Sequence, residues 1–324
     1  MRGDAALIRW RGLLAEYASL VLVLLLLVAG FSLATNHFFT VTTLRTVANQ
    51  VPDILLVATG MTFVIIAGGI DLSVGSILAL SGAVLGVALT YGQLPLGAAV
   101  LAALATGAAC GAVSGLLVTT WNLPSFIVTL GMLEIARGGA YIVTASQTQY
   151  IGAVVEVLNT PVIAGLTVPF LVAIATVICA QFVLTRTVFG RHLIAVGANP
   201  EAAWLSGIDP RPIRFVTFLL AGLASAVAAV AQSARLASAD PNAGTGLELQ
   251  AIAAVVIGGT SLMGGRGSAV TTMLGVLIIA VLGAGLAQMG VQEPTRRLVT
   301  GAVIIAAAIA DYYRTRGSLS GTSH

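Results

Sequence analysis

The sequence predicts an all-α, polytopic membrane protein of about ten transmembrane helices, with both termini cytoplasmic and one short helix in a cytoplasmic loop. Three observations predict it. Hydrophobic residues fill 58% of the 324 positions and charged residues only 8%, against roughly 25% charged in an ordinary soluble domain; so uncharged a surface does not stay dissolved. The apolar residues fall into runs near the roughly 20 residues that cross the hydrocarbon core. Arginines collect in alternate connections, as the positive-inside rule requires.

Ten runs qualify: 17–34, 51–68, 74–91, 96–119, 125–144, 166–185, 213–234, 248–264, 268–290 and 295–312. Arg2, Arg9 and Arg11 precede the first, as in a signal peptide. Its apolar stretch is long, however, and no clear cleavage site follows at Ala34-Thr35-Asn36, so it reads as a retained helix. With the N-terminus in the cytoplasm, inner segments collect Arg2, Arg9, Arg11, Arg186, Arg191, Arg211, Arg214, Arg266, Arg314 and Arg316. Outer segments collect Arg45, Arg235, Arg296 and Arg297, and ten against four supports both termini inside. Arg296 and Arg297 fit the last span poorly. The chain is thus one membrane domain, 1–324, with inner segments at 1–16, 186–212 and 313–324 and an arginine-free outer loop at 145–165.

Composition also excludes chemistry. No lysine occurs anywhere, so the chain has neither a P-loop lysine for ATP nor an amine for a Schiff base. Cys110 and Cys179 lie in separate apolar runs and read as small core residues, not a disulfide or metal site. His37, His192 and His324 form no ligand cluster, and no metal site is expected. No His-Glu-x-x-His, Gly-x-Ser-x-Gly or matched acid–histidine set is present, which argues against an enzyme. The isoelectric point near 9.2 reflects few charges with arginine in excess and suits a membrane protein better than a nucleic-acid binder.

VGANPEAAWLSGI (196–208) stands out against this background. Asn199 is a good N-cap, Pro200 fits the first helical position, Glu201 suits the helix dipole, and Gly207 is a natural stop. So few residues do not hold a helix by propensity alone.

Polar residues inside the runs are costly and point to function by default. Asp71, with Ser73 beside it in GGIDLSVGS, either caps the next helix or takes part in gating or lining a path. Glu134 and Arg137 have the spacing of a structural ion pair on one helix face, a proton relay being the alternative. Gly107, Gly111 and Gly115 make a small-residue face for close packing within or between subunits. ATGMTFVIIAGGIDLSVGS (58–76) and AIAAVVIGGTSLMGGRGS (251–268) echo each other, each an apolar helix broken by Gly-Gly, and paired breaks point to a transport path, chance similarity in a Gly/Ala-rich membrane sequence being the alternative. SADPNAGTGLELQ (238–250), with Asp240 and Glu248, is either an ordinary loop or an outer mouth. Asn49, Gln50, Asn122 and Gln250 are amides expected to line a path.

GMTFVIIAGGIDLSVGSILALSGAV (60–84), FGRHLIAVGANPEAAWLSGI (189–208) and AGTGLELQAIAAVVIGGTSLMGGRGS (243–268) resemble the membrane permease of bacterial ABC importers for simple sugars of the ribose, xylose, galactose and arabinose type. The resemblance runs from about 36 to 312, with the motifs in order. It implies two permease subunits, most simply a homodimer, forming a path through the inner membrane for a monosaccharide, ribose-like by resemblance. It further implies a separate cytoplasmic ATPase that binds the ATP, so that this chain needs no cofactor, and a periplasmic sugar-binding protein. The 186–212 loop matches the region such permeases present to the ATPase, which assigns coupling to Phe189, Gly190, Arg191, Asn199, Glu201, Ala202, Ala203, Trp204, Leu205, Ser206 and Gly207. Phe189, Ala203, Trp204 and Leu205 are expected to supply apolar contact, Arg191 and Glu201 register. The competing readings are an ion-coupled secondary transporter, for which Asp71 and Glu134 offer little coupling chemistry, and a non-transport membrane scaffold.

Overall fold

The computed structural model describes residues 2–35 and 38–320. His37, His324 and the end of the 313–324 tail lie outside the described residues. The helices are α1 (Arg2–Ala34), α2 (Val41–Gln50), α3 (Pro52–Ile66), α4 (Val74–Thr90), α5 (Leu96–Thr120) and α6 (Ser125–Val143). The next connection holds β1 (Gln149–Tyr150), the single turn α7 (Ala153–Glu156) and the hairpin β2 (Pro161–Ile163) and β3 (Leu166–Thr167). Then come α8 (Val168–Arg186), α9 (Val188–Ala198), α10 (Pro200–Leu205), α11 (Pro210–Leu236), β4 (Ser238–Ala239), α12 (Leu247–Ile257), α13 (Ala269–Gln288) and α14 (Glu293–Ser320). The strands are short pairs between helices, β1 lying antiparallel to β4, and the fold is otherwise helical.

Six helices among the described residues are long and apolar enough to cross a membrane, or seven if α2 and α3, bent by 48°, count as one span. Three of the other four runs fold into helices shorter than a full span. The 51–68 and 248–264 runs end in Gly-Gly breaks after Ile66 and Ile257, leaving helices of 15 and 11 residues. α4 has 17 residues. The 186–212 loop is not irregular but holds α9 and α10.

Side-chain and backbone bonds sort the chain into two ends. At the arginine-rich end, Tyr17 Oη lies 3.3 Å from Ser268 Oγ, Ile70 N donates to Ser125 Oγ, and Ala269 N donates to Gln181 Oε1. At the opposite end, Gln288 Nε2 donates to Thr43 Oγ1, Asn49 Nδ2 to the Gly165 carbonyl, and β1 pairs with β4.

The core runs along α3, α5 and α11. A Cβ on Gly107 would fall on the Gly222 carbonyl, one on Gly111 on the Phe218 carbonyl, and one on Gly222 on the Gly107 carbonyl. The glycine face of α5 thus packs against α11 within the subunit, settling the question that its spacing leaves open.

Candidate functional site

α10 is as locally specified as its sequence suggests. Asn199 Oδ1 accepts from Ala202 N at 2.9 Å, Pro200 opens the helix, and Glu201 lies in its first turn. At its end Ile208 N donates to Ala203 O, Gly207 N to Trp204 O, and Gly207 takes φ +84°, the glycine-terminated close of a helix. Trp204 is 58% exposed and Leu205 81%, and Glu201 and Arg191 are exposed. Two of the expected contact residues belong elsewhere. Ala203 is buried against its own subunit, and the Phe189 ring packs 6.4 Å from that of Phe63. Gly190 is buried where a Cβ would strike the Val183 and Leu184 carbonyls, so it allows α9 to fold back on α8. A hollow of about 350 Å³ beside α10 is lined by Pro200, Glu201, Trp204, Asp209, Arg214 and Asn122. Asn122, expected from sequence among the path amides, lines this hollow and not the cavity described below.

A second feature forms where α11 gives way to α12. Ala239 packs against Gly86 near the end of α4, and Gly244 packs against Gly75 in its first turn. Gly75 and Gly86 are eleven helical residues apart, about 16 Å at 1.5 Å per residue. The segment 239–244 therefore runs down the length of α4 into the bundle before α12 begins. Unwound backbone at that depth needs internal partners. Arg137 Nη1 supplies them, donating to the Pro241 carbonyl at 2.6 Å and the Ala243 carbonyl at 2.8 Å, while Tyr141 Oη donates to Asn242 Oδ1 at 2.6 Å. The Glu134–Arg137 ion pair expected from spacing is not formed: Glu134 is exposed and Arg137 serves the carbonyls. A carboxylate facing outward from the helix gains less than two partly buried carbonyls left without donors would lose.

A cavity of about 520 Å³ opens at this break, walled by α2, α3, α12, α13 and α14. Gln50, Thr245, Gln250 and Thr300 bring amides and hydroxyls to it; Val47, Ile54, Leu249 and Ile279 bring apolar surface. Glu293 pairs with Arg296 at 2.7 Å and with Arg297 at 3.1 Å on its rim. The lining thus sets hydrogen-bonding groups beside apolar surface. Of the amides named from sequence, Gln50 and Gln250 meet here. Asn49 does not: it holds the Gly165 carbonyl and Thr167. Thr300 escapes the sequence reading, whereas Thr245 lies in the 238–250 stretch read as a possible outer mouth. Asp71 and Ser73 are both 0% exposed and line no part of the cavity. Asp71 Oδ1 accepts from Ser73 N at 2.9 Å and Ser73 Oγ at 2.5 Å, closing the turn into α4.

The chain is similar to known transport proteins. Residues 43–308 match the family described as branched-chain amino acid transport system / permease component. The chain is 39% identical over 307 residues to the ribose import permease protein RbsC of Escherichia coli K12, covering 92% of this chain and 94% of that protein. It is 36% identical over 292 residues to the D-allose transport system permease protein AlsC of the same organism, covering 89% of each. It is 36% identical over 308 residues to the fructose import permease protein FrcC of Rhizobium meliloti, covering 91% of this chain and 84% of that protein. No solved structure matches. The chain is a helical, multi-pass membrane protein whose relatives are named as permeases; it is a transport component rather than an enzyme, and it belongs to the permease family of the branched-chain amino acid transport systems.

Proposed function

We propose that the chain is the transmembrane permease subunit of an ATP-binding-cassette importer that carries a monosaccharide, ribose-like, across the bacterial cytoplasmic membrane. It crosses the membrane ten times, counting the short α3, α4 and α12 and the terminal α14, with both termini inside. It works as a homodimer in lipid, receives sugar from a periplasmic binding protein, and binds neither a cofactor nor nucleic acid itself. ATP is bound and hydrolysed by a separate cytoplasmic subunit. The path passes through the cavity at the start of α12, where Gln50 and Gln250 hydrogen-bond the sugar.

The observation that carries this reading is α10. It is a helix of six residues, capped at both ends, showing Trp204 and Leu205 to water at the arginine-rich end. Exposed large apolar groups on a rigid element mark a partner surface, and the relatives named as sugar import permeases support the transport role. The test is gentle solubilisation of the tagged chain from its native membranes. An ABC ATPase is expected to co-purify and to be lost when Glu201→Arg and Trp204→Asp are combined. Recovery of the chain without an ATPase in any mild detergent would overturn the reading.

A further inference from the structure

The ends of three elements meet at the arginine-rich end without a side chain between them. Gly197, in the last turn of α9, is buried where a Cβ would fall on the Ile66 carbonyl oxygen and 2.6 Å from Gly265 N. Gly265 N donates to that same Ile66 oxygen at 2.9 Å. Gly264, at φ +83°, places its Cα where a Cβ would meet Gly197 O at 2.6 Å and Gly68 Cα at 3.2 Å. Gly265, at φ +74°, packs in the same way on Ala198 Cα at 2.8 Å. Each segment touches the other two: the end of α3, the end of α9, and the 258–268 break after α12. These are the two Gly-Gly breaks that echo each other in sequence, and the third party is the helix joined to α10 through Asn199 alone.

We propose that Gly197 is the positioning residue of a three-way backbone joint that passes motion of α10 to both broken helices at once. The inference rests on the reading that α10 docks the ATPase. α3 and α12 lead away from the joint, and their far ends wall the cavity at Ile54 and Gln250. Close-packed backbone cannot absorb a displacement as a flexible side chain does. A shift of α10 therefore reaches the two cavity walls as a sliding of packed helices, the shear class of transition. A side chain at Gly197 separates α9 from Ile66 and Gly265 and uncouples the walls from the ATPase without touching the docking surface.

The experiment reconstitutes the permease with its co-purified ATPase and binding protein in liposomes, and measures membrane level, ATPase recovery and sugar moved per ATP hydrolysed. The variants are Gly197→Ala and Ala198→Gly, which removes the methyl facing Gly265 without adding bulk. Gly138→Ala, where a Cβ meets nothing within 4 Å, is the control. Gly197→Ala is expected to keep its ATPase and lose about 5-fold or more in sugar moved per ATP, the low end of ordinary coupling between sites. Ala198→Gly is expected to lose in the same direction and the control to lose nothing. Unchanged sugar per ATP in Gly197→Ala overturns the joint; if that variant does not reach the membrane, unchanged sugar per ATP in Ala198→Gly overturns it. Loss of the ATPase from Gly197→Ala alone also overturns it, since the residue would then hold α10 in place and transmit nothing. Absence of an ATPase from the unmodified chain would instead sink the docking reading, and the joint with it.

Discussion

Arg235 Nη2 lies 2.6 Å from Asp53 Oδ2, fastening the end of α11 to the start of α3 just behind the cavity wall. Gln232 Nε2 donates to the same oxygen at 3.3 Å. The partners differ in exposure, with 29% of the Arg235 side chain accessible against 9% of Asp53. Losing the arginine strands a buried carboxylate, whereas losing the carboxylate leaves a guanidinium that reaches water. Arg235→Ala is therefore expected to destabilise by about 2–4 kcal/mol and Asp53→Ala by less, scaled down from a fully buried pair by that access. The half-life of the detergent-solubilised protein at elevated temperature reads the difference. A shorter half-life for Asp53→Ala than for Arg235→Ala would contradict the assignment.

Arg137 separates two accounts of a charge inside a span. Its bonds to Pro241 and Ala243 hold the unwound segment that leads into α12. Arg137→Met leaves both carbonyls without a donor, at about 1–3 kcal/mol each, and lets the cavity floor move. Uptake is expected to fall about 10-fold at normal membrane level, equivalent to about 1.4 kcal/mol. Glu134→Gln is expected to stay near the unmodified rate. Equal losses in the two variants would restore the ion pair.

Much of this architecture is legible in the sequence where the signal is local. Asn199, Pro200 and Gly207 specify α10 within nine residues, and the structure keeps each role. The Gly107–Gly111–Gly115 face is visible from spacing, but its partner Gly222 lies more than a hundred residues on. The Glu134–Arg137 pair fails for the same reason. Helical spacing shows which residues share a face, but not that the Pro241 and Ala243 carbonyls arrive there from another segment. Hydropathy counts 248–264 as a span because the apolar run continues past Ile257, yet Gly258 and Gly259 stop the helix and turn the chain toward Gly197. The meeting of the two Gly-Gly breaks is a tertiary fact. Their resemblance to each other is the only trace of it in one dimension.

Gly222 gives a direct measure of the α5–α11 crossing. A Cβ there would fall on the Gly107 carbonyl and lie 2.9 Å from Gly111 Cα. Backbone, unlike a side-chain tip, cannot swing aside, so Gly222→Ala forces the helices apart. The expected loss is about 1–3 kcal/mol, the usual cost of overpacking, read as a shortened half-life in detergent. Gly97→Ala, at a position with nothing within 4 Å of the new Cβ, is expected to match the unmodified protein. Similar behaviour of the two variants would mean that this crossing is not tight.

Gln250 and Asn49 are both amides named from sequence, and the structure assigns them different work. Gln250 lines the cavity, whereas Asn49 bonds the Gly165 carbonyl and Thr167. Gln250→Ala is expected to slow uptake severalfold with thermal half-life unchanged, removing about one net hydrogen bond to a solute at 0.5–1.5 kcal/mol. Asn49→Ala is expected to shorten the half-life and to affect uptake only in proportion. The reverse pattern would move the path away from the start of α12.

Asp71 is the sharpest test of structure against function, because its carboxylate is wholly buried and one oxygen, Oδ2, has no hydrogen-bond partner. The other oxygen, Oδ1, closes the turn onto Ser73. Asparagine keeps an acceptor at that position and removes a charge that burial disfavours, so Asp71→Asn is expected to retain at least about half of the unmodified uptake. Asp71→Ala removes the acceptor and frees the Ser73 amide, at about 1 kcal/mol, as for loss of a helix cap. Both variants are expected to reach the membrane, with alanine the less stable. An Asp71→Asn protein present at normal level but unable to take up sugar would show that the negative charge itself acts during transport, and would move Asp71 from the turn into the gate.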